Sequence, residues 1–334
     1  MTDYIKIKRG LDVPINGCPE TRVIRDVVSH SIEIKQTDFR NLVPKLLVRE
    51  GDRVLAGTPV FADKMRPEIK FASPVSGTVA AIVRGDKRKL LAVRVDADAE
   101  RQSKTVNVPK LNSLKREQII ELMLENGLWP FIQQRPYGII ANPADTPTGI
   151  FISGFNTNPL AADYDYSLKD DFDAIQTGVD VLYKLLPEGI HFSLNTSNHA
   201  SSPFHKLERV KFHVFDGPHP AGNVGVQIHH IAPVNKGEVV WCVELALLAV
   251  IGRFFTTGIY NASRFVAVGG PCAAQKGYIK CLPGVMMKDL ADLAGSDGVT
   301  AHEGQEGRYI SGSVLTGTNG GGEGSRGIFD TQIT

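Results

Sequence analysis

The residues best suited to chemistry lie between Lys211 and Ile231, in the stretch KFHVFDGPHPAGNVGVQIHHI. Four of the nine histidines fall here, His213, His219, His229 and His230, together with Asp216. Imidazoles and a carboxylate gathered in space could ligate a transition metal. The spacing matches no zinc template, however, with no H-E-x-x-H and no thiolate partner. Adjacent histidines also point in different directions, so His229 and His230 equally suit bonds to backbone or a partner surface. Asp216-Gly217-Pro218-His219-Pro220-Ala221-Gly222-Asn223 carries two prolines and two glycines, which fix an unusual backbone path. Before it, Phe212, Val214 and Phe215 have the character of a strand. A rigid loop at the C-terminal end of a strand is where open α/β folds place ligand sites.

Other reactive sets are less specified. Ser197, His199 and His205 are close in sequence, but no nucleophile elbow G-x-S-x-G exists. Asp163 and Asp165, beside Tyr164 and Tyr166, read as an exposed acidic turn. Ser311-Gly312-Ser313 approximates a covalent-flavin attachment sequence without its alanine–threonine ending. The loop Ser153-Gly154-Phe155-Asn156-Thr157-Asn158-Pro159 has one glycine where a dinucleotide fingerprint needs three, and no G-x-x-x-x-G-K-[ST] occurs. The sequence therefore offers no cradle for NAD or FMN. Cys18, Cys242, Cys272 and Cys281 form no C-x-x-C, which removes the local signature of zinc ribbons and ferredoxin clusters. They read as thiols in a reducing compartment.

The elements that would position these residues follow from periodicity. Residues 150–243 alternate between strand and helix. Ile150–Ser153, Ile190–Leu194, Val210–Phe215 and Glu238–Val243 read as strands. Asp170–Leu186 reads as a helix, with Ile175, Val179, Leu182 and Leu186 on one face. Strand, helix, strand at this spacing predicts a parallel βαβ unit. A further helix is expected over Glu244–Phe255. Ser113 caps one running to about Asn126, after a polar linker over 99–112. Leu128–Ile132 is expected to be extended. Together these give a Rossmann-like α/β domain over 99–263. Residues 41–98 contain closely spaced strands with turns and no helix, which predicts a small all-β module. Their order resembles the barrel-sandwich fold of biotinyl and lipoyl carrier domains, with Lys64 near the carrier lysine but Asp63 before it in place of methionine. Residues 264–317 suggest a β-grasp module, residues 1–40 an extended arm, and residues 318–334 a flexible glycine-rich tail with no packed domain.

Composition sets the outer limits. At 42% hydrophobic and 22% charged, the 334 residues suit a globular protein of two or three domains. Thirty-seven cations against 36 carboxylates leave a net charge of +1, which argues against a dedicated nucleic-acid binder. The N-terminus shows no apolar signal region, and the longest apolar run, Leu245–Ile251, is too short to span a bilayer. A cytoplasmic protein that reaches a membrane through partners is the expectation.

Three segments taken together resemble the A subunit of the Na+-translocating NADH:quinone reductase. They are Ile152-Ser153-Gly154-Phe155 with Pro159–Asp165, Val214–Gly225 with His229-His230, and Ile310–Gly317. The resemblance begins at Ile5-Lys6-Ile7 and covers nearly the whole chain. It implies a peripheral subunit on the cytoplasmic side of the bacterial inner membrane, assembled with the other five subunits. That complex oxidises NADH, reduces ubiquinone and exports Na+. It also implies that the flavins and the 2Fe-2S centre reside on other subunits, with no redox cofactor in this chain and a quinone-binding role proposed for it. The α/β and β-grasp (SLBB-like) parts would resemble the NADH-binding subunit of complex I with its flavin site lost. The family continues into a further C-terminal domain. On this reading Ser153, Gly154, Phe155, Asp216, Gly217, Pro218, His219, Asn223, His229 and His230 face a ligand or partner. The alternatives are a stand-alone flavin or NAD oxidoreductase and a biotinyl or lipoyl carrier.

Overall fold

The computed structural model describes residues 3–294, 308–320 and 324–334. Four sheets organise them. The largest has seven strands in the order Asp3–Lys6, Lys211–Asp216, Ile190–Asn195, Ile150–Ser153, Val240–Val243, Ile132–Arg135, Ile139–Ile140. The first five run parallel, and the last two pairings are antiparallel. Continuous apolar runs such as Val240-Trp241-Cys242-Val243 fit strands covered on both faces. Alternation along Ile150–Ser153 divides those faces. Ile150 and Ile152 join the core formed with helices Phe172–Leu185 and Leu245–Thr257. Phe151 points the other way, onto Ile228 of the short helix Val224–Ile231.

A four-stranded sheet (Ser31–Lys35, Leu90–Ala97, Gly77–Arg84, Arg53–Val54) and a three-stranded one (Pro44–Leu46, Pro59–Asp63, Lys70–Ala72) make the sandwich. Its core holds Val60, Val93, Val95 and the stacked pair Phe61–Phe71, with ring centroids 4.7 Å apart. Lys64 stands exposed in the turn after Pro59–Asp63. A mixed six-stranded sheet completes the fold, in the order Thr318–Asn319, Ile310–Ser311, Gln332–Ile333, Arg264–Val268, Gly277–Cys281, Val23–Asp26. Positions 295–307 and 321–323, within the expected β-grasp and tail, lie outside the described residues.

Four expectations change. Residues 1–40 are not one arm: their strands join three different sheets. Extended backbone must find partners for its N–H and C=O groups, and each piece finds the nearest sheet edge. The tail is not free either. Gln332–Ile333 lies between Arg264–Val268 and Ile310–Ser311, and Arg326 is fully buried, donating to the Gly327 and Asp330 carbonyls. The linker over 99–112 is pinned, with Lys104 N donating to Ala56 O and Val106 N to Gly258 O. The helix after it is Arg116–Glu125, and Ser113 donates back to Lys110 O instead of capping it. Among the described residues, no helix is long and apolar enough to cross a membrane.

Candidate functional site

Chain order in the large sheet reverses at Ile150–Ser153. Successive strands are laid down on one side of it, and Val240–Val243 returns to the other. The loops leaving these two strands therefore part, and ligand crevices of open parallel sheets form at such a point. A crevice of about 500 Å³ opens there. One wall is Phe131, Gln133 and Arg135; another is Ser153, Phe155, Asn156 and Asn158. Gly222–Val226, at the start of helix Val224–Ile231, and Cys242–Leu245 complete it with Tyr164 and Phe329.

The loops around the crevice are held by a dense set of bonds. Ser153 Oγ donates to Phe155 O (2.8 Å) and accepts from Gln227 Nε2 (2.9 Å), which also reaches Ala221 O. The serine thus ties a strand end to the Asp216–Asn223 loop and is not poised as a nucleophile. Gly222 N donates to Thr157 Oγ1 (2.9 Å), and a Cβ at Gly222 would sit 2.5 Å from Thr157 N. His219 Nδ1 lies 3.2 Å from the same hydroxyl. From the other side, the N-terminal segment grips the loop. Ile7 N donates to Asp216 O, Leu11 N to His219 O, and His219 N to Asp12 Oδ1. Gly217 has φ +129°, with the Ile7 carbonyl oxygen 2.3 Å from where a side chain would begin, so only glycine fits.

Charge at the crevice floor is balanced by burial. Glu244 caps helix Leu245–Thr257 by accepting from Ala246 N and Leu247 N, and its Oε2 lies 3.6 Å from Arg264 Nη1. Burial pulls the Arg264 guanidinium down to about 10, and neighbouring Arg326 adds to the effect. Burial pushes the Tyr164 phenol well above its usual range, reinforced by Glu244. The Cys242 thiol is also raised by burial, against the pull of Arg135, so it is no ready nucleophile.

Ser153, Phe155 and Asn223 line the crevice, while Gly154 lies buried behind them, donating to Ser193 O. Asp216, Gly217, Pro218 and His219 form the clamped loop beside it. Asp216 meets Lys6 at 3.4 Å. His229 and His230 sit in the last turn of Val224–Ile231, where His230 Nδ1 bonds Val226 O. The four histidines do not converge. His213 Nε2 pairs instead with His191 Nδ1 at 2.9 Å, and its Nδ1 lies 3.3 Å from Asp3. Among the described residues, no three metal-ligating side chains come together. Ser197, His199 and His205 bond Asn195, Thr196 and Ser202, not one another. Asp165 is drawn inward by Ser202 and Asn198, so the acidic turn is only partly exposed. Sequence reasoning missed Arg135, Asn156, Cys242 and Glu244. The one signal for Glu244 was its place directly after an apolar strand.

Comparison with known proteins agrees with this architecture. Residues 5–98 match the NqrA N-terminal barrel-sandwich hybrid domain, and residues 114–260 the NqrA second alpha/beta domain. The NqrA subunit of the Na+-translocating NADH-quinone reductase of Pseudomonas aeruginosa is 36% identical over 317 residues, 94% of this chain and 68% of that protein. The Rhodopirellula baltica subunit is 35% identical over 93% of the chain and 68% of its own length. The Yersinia pestis subunit is 34% identical over 94% and 69%. The chain thus spans about two thirds of the length of these relatives. A NAD+-reducing [NiFe]-hydrogenase shares a distant likeness, at 14% identity and a TM-score of 0.41 over 68% of this chain and 47% of that one. With two NqrA domains in order and about a third of its residues identical across nearly its whole length, the chain belongs to the family of the NqrA subunit of the Na+-translocating NADH-quinone reductase.

Proposed function

We propose that the chain is a peripheral subunit of a membrane complex that oxidises NADH, reduces ubiquinone and exports Na+. On this reading it sits on the cytoplasmic side of the bacterial membrane, bound to the other five subunits. The observation that carries it is the identity to the Pseudomonas aeruginosa subunit over 94% of the chain. The flavins and the 2Fe-2S centre belong to other subunits, and this chain contributes structure and a quinone-facing crevice. We read the seven-stranded domain as Rossmann-like and the six-stranded one as β-grasp, SLBB-like. The crevice suits a planar carbonyl compound: Phe131, Phe155 and Phe329 offer apolar walls, and Gln133, Arg135, Asn156 and Asn158 offer donors. Inverted vesicles from cells lacking the subunit, supplied with this chain, should regain NADH-driven ubiquinone reduction and Na+ uptake. A ubiquinone analogue titrated into the pure chain should give saturable heat that Arg135→Met weakens. A pure protein that shows flavin absorbance and oxidises NADH alone would overturn the reading in favour of an independent oxidoreductase.

A further inference from the structure

The hairpin joining Gly77–Arg84 to Leu90–Ala97 concentrates positive charge in a nearly neutral chain. Within Arg84-Gly85-Asp86-Lys87-Arg88-Lys89 there are four cations and one carboxylate, in a chain whose net charge is +1. All four cations are exposed. The turn itself is unusual. Lys89 N donates to Asp86 O, which leaves Lys87 (φ 53°) and Arg88 (φ 61°) as its two central residues, both left-handed. Such a turn ordinarily takes Asn-Gly, because a side chain is unfavourable there. Here it holds two long basic side chains at the tip. Arg84 Nη1 braces it by donating to Arg88 O at 3.0 Å. Strain kept at an exposed turn points to a use for the side chains it displays.

Beneath the hairpin lies a groove of about 480 Å³, separate from the crevice of the α/β domain. Arg84, Arg88 and Lys89 form its rim, and Leu42, Val43, Pro44, Leu46 and Leu90 its floor. Val43 is 47% exposed although apolar. Gln36 also lines the groove; it is 5% exposed, and its side-chain carbonyl has no hydrogen-bond partner among the described residues. Its amide nitrogen is taken by Leu42 O. A buried amide oxygen left open wants a donor from outside. A ligand matched to this place has a phosphate for the rim, a hydroxyl for Gln36 and an apolar stem for the floor.

We propose that this hairpin and groove dock the protein directly onto an anionic phospholipid surface, with the headgroup phosphate on Arg84, Arg88 and Lys89 and the base of the acyl chain against Leu42, Val43 and Leu46. Phosphatidylglycerol, with phosphate and glycerol hydroxyls together, satisfies all three features. An acidic protein surface would use the cations and leave the apolar floor and Gln36 unmet. The proposal rests on the hairpin and the groove beneath it and stands whether or not the subunit reading holds.

The test uses the full chain with sedimented vesicles of phosphatidylcholine, alone or mixed with phosphatidylglycerol. Each cation near an anionic leaflet strengthens partitioning by about fivefold, so Lys87→Gln with Arg88→Gln and Lys89→Gln should weaken it about a hundredfold. Neutralising the exposed Lys110, Lys206 and Lys236 in the same way should have little effect. High salt should release the protein, since the screening length falls to about 3 Å at 1 M. Tryptophan placed by Val43→Trp should shift its emission to the blue on mixed vesicles only, against a constant background from the fully buried Trp129 and Trp241. Equal binding to both vesicle types, no binding to either, or equal losses in the hairpin and control variants would overturn the proposal. So would an unshifted Val43→Trp emission on vesicles that bind the chain.

Discussion

Gly252→Ala tests how tightly the α/β layer is packed. Gly252 lies in the middle of Leu245–Thr257, where that helix crosses Phe172–Leu185. A Cβ there would lie 1.7 Å from the Ala174 carbonyl oxygen and 2.9 Å from Gly178 N. Both obstacles are backbone, so no side chain can swing aside. A carbon–oxygen contact needs about 3.3 Å, and the helices would have to part by roughly 1.5 Å along that line. Val179, Leu182, Leu248 and Ile251 pack beside the crossing, all fully buried. Overpacking of this kind costs about 1–3 kcal/mol, and a backbone clash belongs at the upper end. Alanine returns about 1 kcal/mol of helix propensity. The net expectation is a loss of about 2 kcal/mol. Denaturant unfolding followed by tryptophan emission reads it locally, because Trp129 and Trp241 pack edge to face in this domain, 5.5 Å apart. Gly225→Ala is the matched control. It is also helical, and a Cβ there meets nothing within 4 Å. That variant should be neutral or stabilised by up to about 1 kcal/mol. If Gly252→Ala unfolds at the same denaturant concentration as Gly225→Ala, the close helix crossing is refuted.

The pair His191 and His213 should make stability depend on pH. Burial, then the neighbouring imidazole and Lys211, holds His191 down at about 4, and burial lowers His213 against the pull of Asp3. Unfolded histidines titrate near ~6.5, so as pH falls the unfolded chain takes up protons first. The pair's contribution should therefore fall between about pH 6.5 and 4 and be spent below, by on the order of 1–2 kcal/mol after solvent screening. His191→Gln should flatten that slope in melts across pH; an unchanged slope contradicts the assignment. Glu244→Ala removes a helix cap and the ion-pair partner of buried Arg264. It should cost about 3 kcal/mol, with Glu244→Gln losing less, and a melting shift equivalent to under about 1 kcal/mol argues against the pairing. Among the described residues, His219→Ala loses the side-chain contact to Thr157, while Leu11 N and Asp12 still hold the backbone. The isolated fold should weaken by about 1 kcal/mol or less, while assembly or ubiquinone reduction falls. Unchanged turnover of the assembled variant counts against a role for this loop.

Legibility in the sequence follows the range of the interactions. Helix Phe172–Leu185 and the strands around it are readable because Ile175, Val179 and Leu182 repeat locally. Helix Val224–Ile231 is not, since it has eight residues, a glycine inside and two histidines at its end. The glycine-rich tail misleads for a different reason. Composition reports chain entropy, whereas Arg326 is held by carbonyls and Gln332–Ile333 by two strands distant in sequence. The same distinction explains the Asp216–Asn223 loop. It stands out because its glycines are conformational necessities: Gly217 faces the Ile7 carbonyl, and Gly222 lies against Thr157. Such residues are conspicuous because few others fit, and being conspicuous is not the same as touching a ligand. The crevice is built from Gln133, Arg135, Asn156 and Glu244, ordinary residue types on three separate segments. Only the reversal of strand order brings them together. A motif search therefore finds the frame of this site before its lining, and substitutions in the lining can alter ligand choice while the recognisable loop stays intact.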